Sequence, residues 1–395
     1  MSHTFCKANS DDLLGYRIKL YPTEEQKVIL NKQIDLFRYV YNWALEVEHN
    51  NYNDDKENSH FLREHEMYDK LKELRNSEGM EWLRELPLNT ARHAVLKVIG
   101  AFKKFFERHN KYPKYKSKKS DSKFFVVRGE RVRFFDEFVH IEGFKRGDNI
   151  LVKKHRIPKG KKYYGCTISF DGYDYWLSLT KEVHEPMEFR IKTTEGIGID
   201  LGLHTLAKLS NGKEYHLPNV DKLEKRRKRQ AAVCMRDIKK RQEIADQTRA
   251  KFEDVKPSNG MIKRARAFRK TCNKITNIRK TYIHTMTKQI VDTNPDYIVI
   301  ETLNVKGMLK NKYLARKISE ASFYEIGQQL EYKCRRRGIP LIKAPREFAS
   351  TKICSNCGNM YNVGKSRMYR CPTCGLVIDR DLNAAINLKN FYSTC

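Results

Sequence analysis

The chain has 395 residues, 40% of them hydrophobic and 11% aromatic, enough apolar material for about two or three domains with real cores. Lys+Arg total 78 against 48 for Asp+Glu, a formal net charge of +30. That excess opposes compaction, so the expected working partner is a polyanion that neutralises it. A membrane is the poorer choice. The start, MSHTFCKANSDDLLGYR, has no apolar signal core, and no stretch approaches the roughly 18 apolar residues of a spanning helix. Nucleic acid is the expected partner.

Residues 14–21 (LGYRIKLY) alternate like a strand. Thr23, with Gln26 three residues on, reads as a capping box opening a helix to about residue 49. Val28, Leu30, Ile34, Phe37, Tyr41 and Leu45 recur along it at helical spacing. Further helices end in TARHAVLKVIGAFKKFFERHN, so 22–110 reads as a helical module. After the basic, turn-rich KYPKYKSKKSDSK, residues 124–182 read as strands, with a hairpin at Asp171-Gly172. This predicts a small antiparallel barrel that the strand at 14–21 could close, with the helices as an insertion.

A different core begins at residue 196. GIGIDLG is a buried strand, Ser210-Asn211-Gly212 turns a hairpin, and two long basic helices follow at roughly 219–250 and 261–291. In the second, Ala265, Phe268, Cys272, Ile275, Ile278, Tyr282, Met286 and Ile290 form one apolar stripe. Then come the strand YIVIETL, a helix near 318–337, the strand IPLIKA, a cysteine-rich segment and a last helix at 381–391. Strands alternating with helices in this order indicate a mixed α/β sheet.

Three acids sit where such a sheet can gather them. Asp200 ends GIGID, Glu301 follows YIVI and Asp381 opens the last helix. A carboxylate at the end of a hydrophobic strand is costly unless something pairs with it. Converging carboxylates repel, and magnesium, which prefers oxygen ligands, is their natural partner. Two such ions about 3.5–4 Å apart suit phosphodiester hydrolysis. Taken singly, each acid could be a surface group or an N-cap, a role Asp fills readily at helix starts. Asp379 competes with Asp381; the phrase Asp-x-Asn-Ala-Ala favours Asp381.

Ten cysteines in a chain without an export signal make disulfides a poor default. Cys354-x2-Cys357 and Cys371-x2-Cys374 form two knuckles. Four thiolates make a closed tetrahedral zinc site, structural because no position stays open for water. Gly358 and Gly375 each follow the second cysteine of a pair, where the chain must turn tightly. Cys6, Cys166, Cys234, Cys272, Cys334 and Cys395 are scattered, and most of the six read as small buried apolar residues. Two decoys fail: Gly364-Lys365-Ser366 lacks the P-loop's earlier glycine, and His184-Glu185 is followed by Pro186 rather than a zinc-protease helix.

Lys225-Arg226-Arg227-Lys228-Arg229, with Arg264, Arg266 and Arg269, lines the two long helices with charge of one sign. Internal i,i+4 pairing does not account for it, so the expectation is a surface tracking a nucleic-acid backbone. The 225–229 cluster would also suit a nuclear import signal, though it lies within a helix.

On these residues the chain resembles the TnpB proteins of bacterial insertion sequences, relatives of the type V CRISPR effectors and of eukaryotic Fanzor proteins. The likeness covers nearly the whole length: YRIKLYPTEEQKVILNKQIDLFRYVYNWAL, YPKYKSKK, GIGIDLGLHTLAKLSNG, IETLNVKGM, LARKISEASFYEIGQQLEYKCRRRGI, STKICSNCG and CPTCGLVIDRDLNAAIN. Phe323 stands where relatives often carry Trp, and the chain ends soon after Asp381.

The resemblance implies a multidomain α+β protein whose RNase H-like (RuvC-like) mixed α/β nuclease core carries Asp200, Glu301 and Asp381 as catalytic, magnesium-holding acids. It implies the first strand of a wedge domain at 1–21, a helical recognition lobe at 22–115 and a β-barrel wedge domain at 116–190. The nuclease domain would span 191–395, with a zinc ribbon insertion at 346–378. The implied activity is RNA-guided cleavage of double-stranded DNA next to a short transposon-adjacent motif, with a guide RNA derived from the transposon end, two Mg2+ ions and one structural Zn2+. A monomeric ribonucleoprotein in a prokaryotic cytoplasm, near the nucleoid, is expected. The rival expectations are a guided DNA-binding repressor that does not cut, and a transposase or structure-selective nuclease working without RNA.

Overall fold

The structure, a computed structural model, describes residues 13–54, 61–118, 123–158, 163–182, 195–252, 254–364 and 366–392. The His184-Glu185-Pro186 stretch, Cys6, Cys395 and Lys365 lie outside the described residues. The chain divides into two compact units, Met1–His184 and Glu185–Cys395.

The first unit opens with strand β1 (Leu13–Tyr21) and helix α1 (Glu24–Asp54). The capping box forms as the sequence predicts. Gln26 N–H donates to Thr23 Oγ1 at 3.2 Å, and Thr23 N–H donates to Gln26 Oε1 at 3.0 Å. Leu30, Ile34, Phe37, Tyr41 and Leu45 are buried along one face of α1, whereas Val28 is 67% exposed. It points away from the packed face, since Gln26 before it and Leu30 after it are both buried. Helices α2 (Glu64–Asn76) and α3 (Leu88–Phe106) complete the helical part.

Strands β2 (Lys123–Val127), β3 (Val132–Phe135), β4 (Phe138–Ile141), β5 (Ile150–Val152), β6 (Tyr164–Phe170) and β7 (Tyr175–Glu182) follow. They join β1 in a seven-stranded antiparallel sheet of order β2-β6-β7-β1-β5-β4-β3. β1 runs through the middle, paired to β7 and β5. The two end strands, β2 and β3, are joined by residues 128–131 alone. So short a link reaches at most about 18 Å, whereas seven flat strands would put the ends about 29 Å apart. The sheet must therefore curl. Its core is shared with the helices, as Phe37 on α1 packs against Phe124 on β2 with ring centroids 5.7 Å apart.

The second unit builds a sheet from β8 (Ile197–Leu201), β9 (Ala207–Leu209), β10 (Glu214–Tyr215), then β11 (Ile298–Glu301) and β12 (Leu341–Ala344). The order is β10-β9-β8-β11-β12, with β8, β9 and β10 antiparallel and β11 parallel to both β8 and β12. Counted within the unit this reads 3-2-1-4-5, an RNase H-like mixed sheet. The parallel pairs require crossovers. The first is the helical hairpin α4 (Asp221–Thr248) and α5 (Asn259–Asp292); the second runs through α6 (Val305–Met308), α7 (Ala315–Ala321) and α8 (Phe323–Arg336). The single helix expected near 318–337 is thus two. Ser322 takes a left-handed backbone with φ of 52°, which an uninterrupted helix cannot contain. On α5, Ile275, Met286 and Ile290 are buried, but Ala265, at the helix's far end, is exposed.

The hairpin of β13 (Met368–Arg370) and β14 (Val377–Asp379) leads directly into α9 (Arg380–Phe391), which lies across the sheet. The fit is close because β8 carries Gly198. A Cβ there would sit 2.0 Å from the Ala385 carbonyl oxygen and 2.4 Å from Lys389 N, both backbone atoms that cannot step aside cheaply. Gly198→Ala should therefore lower stability by about 1–3 kcal/mol, seen as a drop in melting temperature. Gly15→Ala, with nothing within 4 Å of its added Cβ, is the control that should melt like the parent.

Candidate functional site

Strand register explains how residues a hundred positions apart come together. Ile300 pairs with Ile199 in the parallel ladder, so Glu301 lies beside Asp200 on the neighbouring strand. On the other side Asp200 faces Lys208, and Lys208 faces Glu214. Residues at one level of a sheet share a face, so Glu214, Lys208, Asp200 and Glu301 form a polar row on it. Lys208 is buried and gives its ammonium to Glu214.

Asp381 reaches the same place from α9. Gly198, two residues before Asp200 and on its face, meets the helix at Ala385. Two residues of strand advance about 6.6 Å, and the four helical residues back from Ala385 to Asp381 cover about 6 Å. Running antiparallel to β8, α9 therefore brings its first turn level with Asp200. The N-cap role falls to Asp379, whose Oδ1 accepts from Asp381 N–H at 3.0 Å and Leu382 N–H at 2.9 Å. Asp381 is thus released from capping. Its Oδ1 lies 3.5 Å from the Arg380 guanidinium.

The electrostatics show the three acids acting on one another. Burial above all, then the charges of Glu301 and Asp381, push the Asp200 carboxyl well above the usual carboxylate range, with Arg380 opposing. Glu301 is pushed up to about 7, chiefly by burial and further by Asp381. The Leu201 N–H that its Oε1 accepts at 3.2 Å restrains the rise. An all-oxygen donor set in which Asp200 and Glu301 have raised proton affinity fits hard divalent cations. The acids are more loosely gathered than the cysteines, which alone among the described residues bring three or more potential ligand atoms all within 4.8 Å.

The four thiols of Cys354, Cys357, Cys371 and Cys374 are that cluster. Cys354 and Cys374 sulfurs are 3.6 Å apart, as are those of Cys357 and Cys371. Disulfides would need about 2.05 Å; a tetrahedral zinc with bonds of about 2.3 Å sets sulfurs about 3.8 Å apart. The spacing is that of a site able to hold zinc. Each knuckle closes alike: Gly358 N–H donates to Cys354 O and Gly375 N–H to Cys371 O, at 2.9 and 3.0 Å. Both glycines have positive φ, 75° and 73°, which a side chain would strain.

Two residues that the sequence reading passed over tie this knuckle to the acids. Asn383 donates to Ile353 O at 2.7 Å and accepts from Ser355 N–H at 2.9 Å. Asn387 donates to Ser350 O at 2.7 Å and Ile353 O at 2.6 Å. Both are buried on α9, one turn apart, while Ala384 and Ala385 are also fully buried. The signal was in the text, since amides at i and i+4 among small apolar residues must find partners once buried.

Of the basic residues, Lys225, Arg226, Lys228, Arg229 and Arg266 are exposed on α4 and α5. Arg227 instead pairs with Glu224 at 2.8 Å, and Arg264 forms a two-bond pair with Asp237, both bonds 2.7 Å. Arg269 also has a partner within the chain. Glu224 additionally binds Arg279 and Arg316, drawing α4, α5 and α7 into one knot. Cys166 and Cys334 are buried, with thiols pushed up to about 12 by that burial, as inert core residues should be.

A pH test follows. A carboxyl whose folded pKa is raised binds more protons folded than unfolded, so stability falls as pH rises from about 4.5 to about 7. Glu301→Gln keeps the acceptor for Leu201 N–H and removes the titration. In buffer without added divalent ions it should stabilise the chain by up to about 3 kcal/mol at pH 8 and little near pH 4.5, at about 1.36 kcal/mol per pKa unit. Thermal melts across this range check it; a pH-independent difference would refute the buried-charge account.

Comparison with known proteins agrees with this architecture. Residues 179–312 match a family model described as "Probable transposase", residues 323–388 the Cas12f1-like TNB domain, and residues 13–57 a helix-turn-helix domain of the first family. A Streptomyces pristinaespiralis protein named "Putative RNA-guided DNA endonuclease" is 29% identical over 385 residues, covering 95% of this chain and 88% of that one. TnpB-like protein L79 of Acanthamoeba polyphaga mimivirus is 36% identical over 129 residues, 31% of this chain and 24% of its own. In structure, a Cas12f1–sgRNA–target DNA complex aligns with TM-score 0.54 at 15% identity, covering 93% of this chain and 83% of that one. The chain is thus similar over 95% of its length to a protein named as an RNA-guided DNA endonuclease, and over 31% of it to a TnpB-like protein.

Proposed function

We propose that the protein is an RNA-guided DNA endonuclease that hydrolyses target DNA beside a short transposon-adjacent motif. The observation that carries this reading is the convergence of Asp200, Glu301 and Asp381 from β8, β11 and α9, an acid cluster that has Arg380 as its opposing charge. The names of full-length relatives support it.

In this reading the three carboxylates hold two magnesium ions, which when bound supply an activated nucleophile and charge stabilisation for the leaving oxygen. Asp200, the most enclosed, is held rigid by the strands on either side. Glu301 has one oxygen anchored by Leu201 N–H, leaving the other for a cation. Asp381 occupies a helix N-terminus whose cap is Asp379, so its carboxylate is spared that duty. The four cysteines hold one zinc, which stiffens the knuckle clamped by Asn383 and Asn387 and so fixes the start of α9. Lys225, Arg226, Lys228, Arg229 and Arg266 lie against the guide or heteroduplex backbone. The working form is a monomeric ribonucleoprotein, its guide transcribed from the transposon end, in the cytoplasm beside the nucleoid.

The transposase description matched by residues 179–312 motivates a second reading, a strand-cutting enzyme that needs no RNA. Redirecting the guide separates the two, since cutting must follow the new sequence only under the first. Asp200→Ala should abolish cutting while RNA still co-purifies; cutting at the parental rate would refute the assignment. Metal analysis should find about one zinc per chain, and Cys374→Ser should lose it and melt earlier. A folded, zinc-free parent protein would remove the metal from this account.

A further inference from the structure

The segment just after Glu301 carries an unassigned feature. Residues 302–319 contain no Asp or Glu but hold Lys306, Lys310, Lys312, Arg316 and Lys317, all exposed. At its tip Tyr313 is 94% exposed, the most exposed large apolar or aromatic side chain among the described residues, flanked by Leu309 at 41% and Leu314 at 40%. Single exposed apolar residues are ordinary, but this one is mounted rigidly. Asn311 Oδ1 accepts from Tyr313 N–H at 3.0 Å and from Leu314 N–H at 3.3 Å. Ala315 N–H donates to Asn311 O at 2.8 Å. Both ends of the segment are anchored too. Leu303, Val305 and Met308 pack on the core of the unit, Ile318 is buried, and Arg316 is held by Glu224 at 3.1 Å and Glu320 at 2.8 Å.

We propose that Tyr313 is a stacking platform for an unpaired nucleobase of the strand led to the carboxylates. An aromatic ring held out on a fixed backbone loses little entropy on contact. The lysines on either side of it select a polyanion, and the ring then needs a flat apolar face; a nucleic-acid strand with splayed bases offers both. Placement reinforces the choice, because the platform belongs to the chain segment that leaves the active-site end of β11 directly after Glu301. Double-stranded DNA, whose bases are stacked internally, would bind the lysines but not the ring.

This inference rests on the proposed nuclease reading, and the test separates the two. The guided full-length protein with Asp200→Ala, which should bind without cutting, is given target DNA in which 2-aminopurine is walked along the unpaired strand. Stacking quenches its fluorescence. Quenching at one or two adjacent positions is expected with Tyr313 and with Tyr313→Phe, and not with Tyr313→Ala. With the acids intact, Tyr313→Ala should weaken cutting at subsaturating DNA about tenfold, from the value of one stacked base, while Tyr313→Phe stays within about twofold. Because the side chain is exposed, all three should melt alike. Unchanged quenching and cutting in Tyr313→Ala would overturn the platform and leave the nuclease reading standing. Conversely, failure of the parent to cut any guided target would end the nuclease reading, while quenching of a plain single-stranded oligonucleotide would still report the stacking.

Discussion

The second unit is organised around the cost of holding a carboxylate in its interior. Asp200 sits at the end of a wholly buried strand, with Glu301 beside it and Asp381 facing it from α9. Burial and nearby like charge raise the proton affinity of Asp200 and Glu301, a strain that a paired cation would relieve. A nearby lysine could have done so, but Lys208 is committed to Glu214 one strand over. The polar row therefore keeps its positive charge on one side and leaves the acids open to a cation from outside.

Much of the surrounding structure reads as a consequence. The notch at Gly198 lets α9 descend far enough for its first turn to meet the strand ends. Asp379 satisfies the helix terminus, which spares Asp381 that duty. Asn383 and Asn387 then fasten the cysteine knuckle to the same helix, so that the knuckle and the acid move as one piece. The closeness of Asp379 and Asp381 to Cys374 has the same cause. The hairpin β13–β14 ends on the cap residue itself, and the next two turns of helix carry the acid, the notch contact and the clamp.

Charge is used in two ways on the long helices. Part of the basic excess is structural, because Arg227, Arg279 and Arg316 surround Glu224, and Arg264 is spent on Asp237. Lys225, Arg226, Lys228, Arg229 and Arg266 instead stand exposed to solvent. Counting positive charges along a helix cannot separate the two populations, since the acids that consume them come from other turns and other helices.

Local rules made a large part of the protein legible in its text. Thr23 and Gln26 announced a helix start, alternating runs announced the first sheet and buried apolar runs the second, and the spacing of four cysteines announced a tetrahedral thiolate site, because each depends on neighbours close in sequence. The acids could be nominated from strand ends, though which aspartate caps α9 is shown by backbone hydrogen bonds at the helix terminus. Other features had no local signature. The central place of β1, the break at Ser322, the exposure of Val28 and Ala265, and the pairing of Arg227 and Arg264 depend on what packs alongside. Sequence alone nominated the acids, the cysteines and the basic runs as the groups with chemistry to offer. Tertiary structure decided which of them stand free to do so, because freedom is a matter of partners brought in from distant parts of the chain.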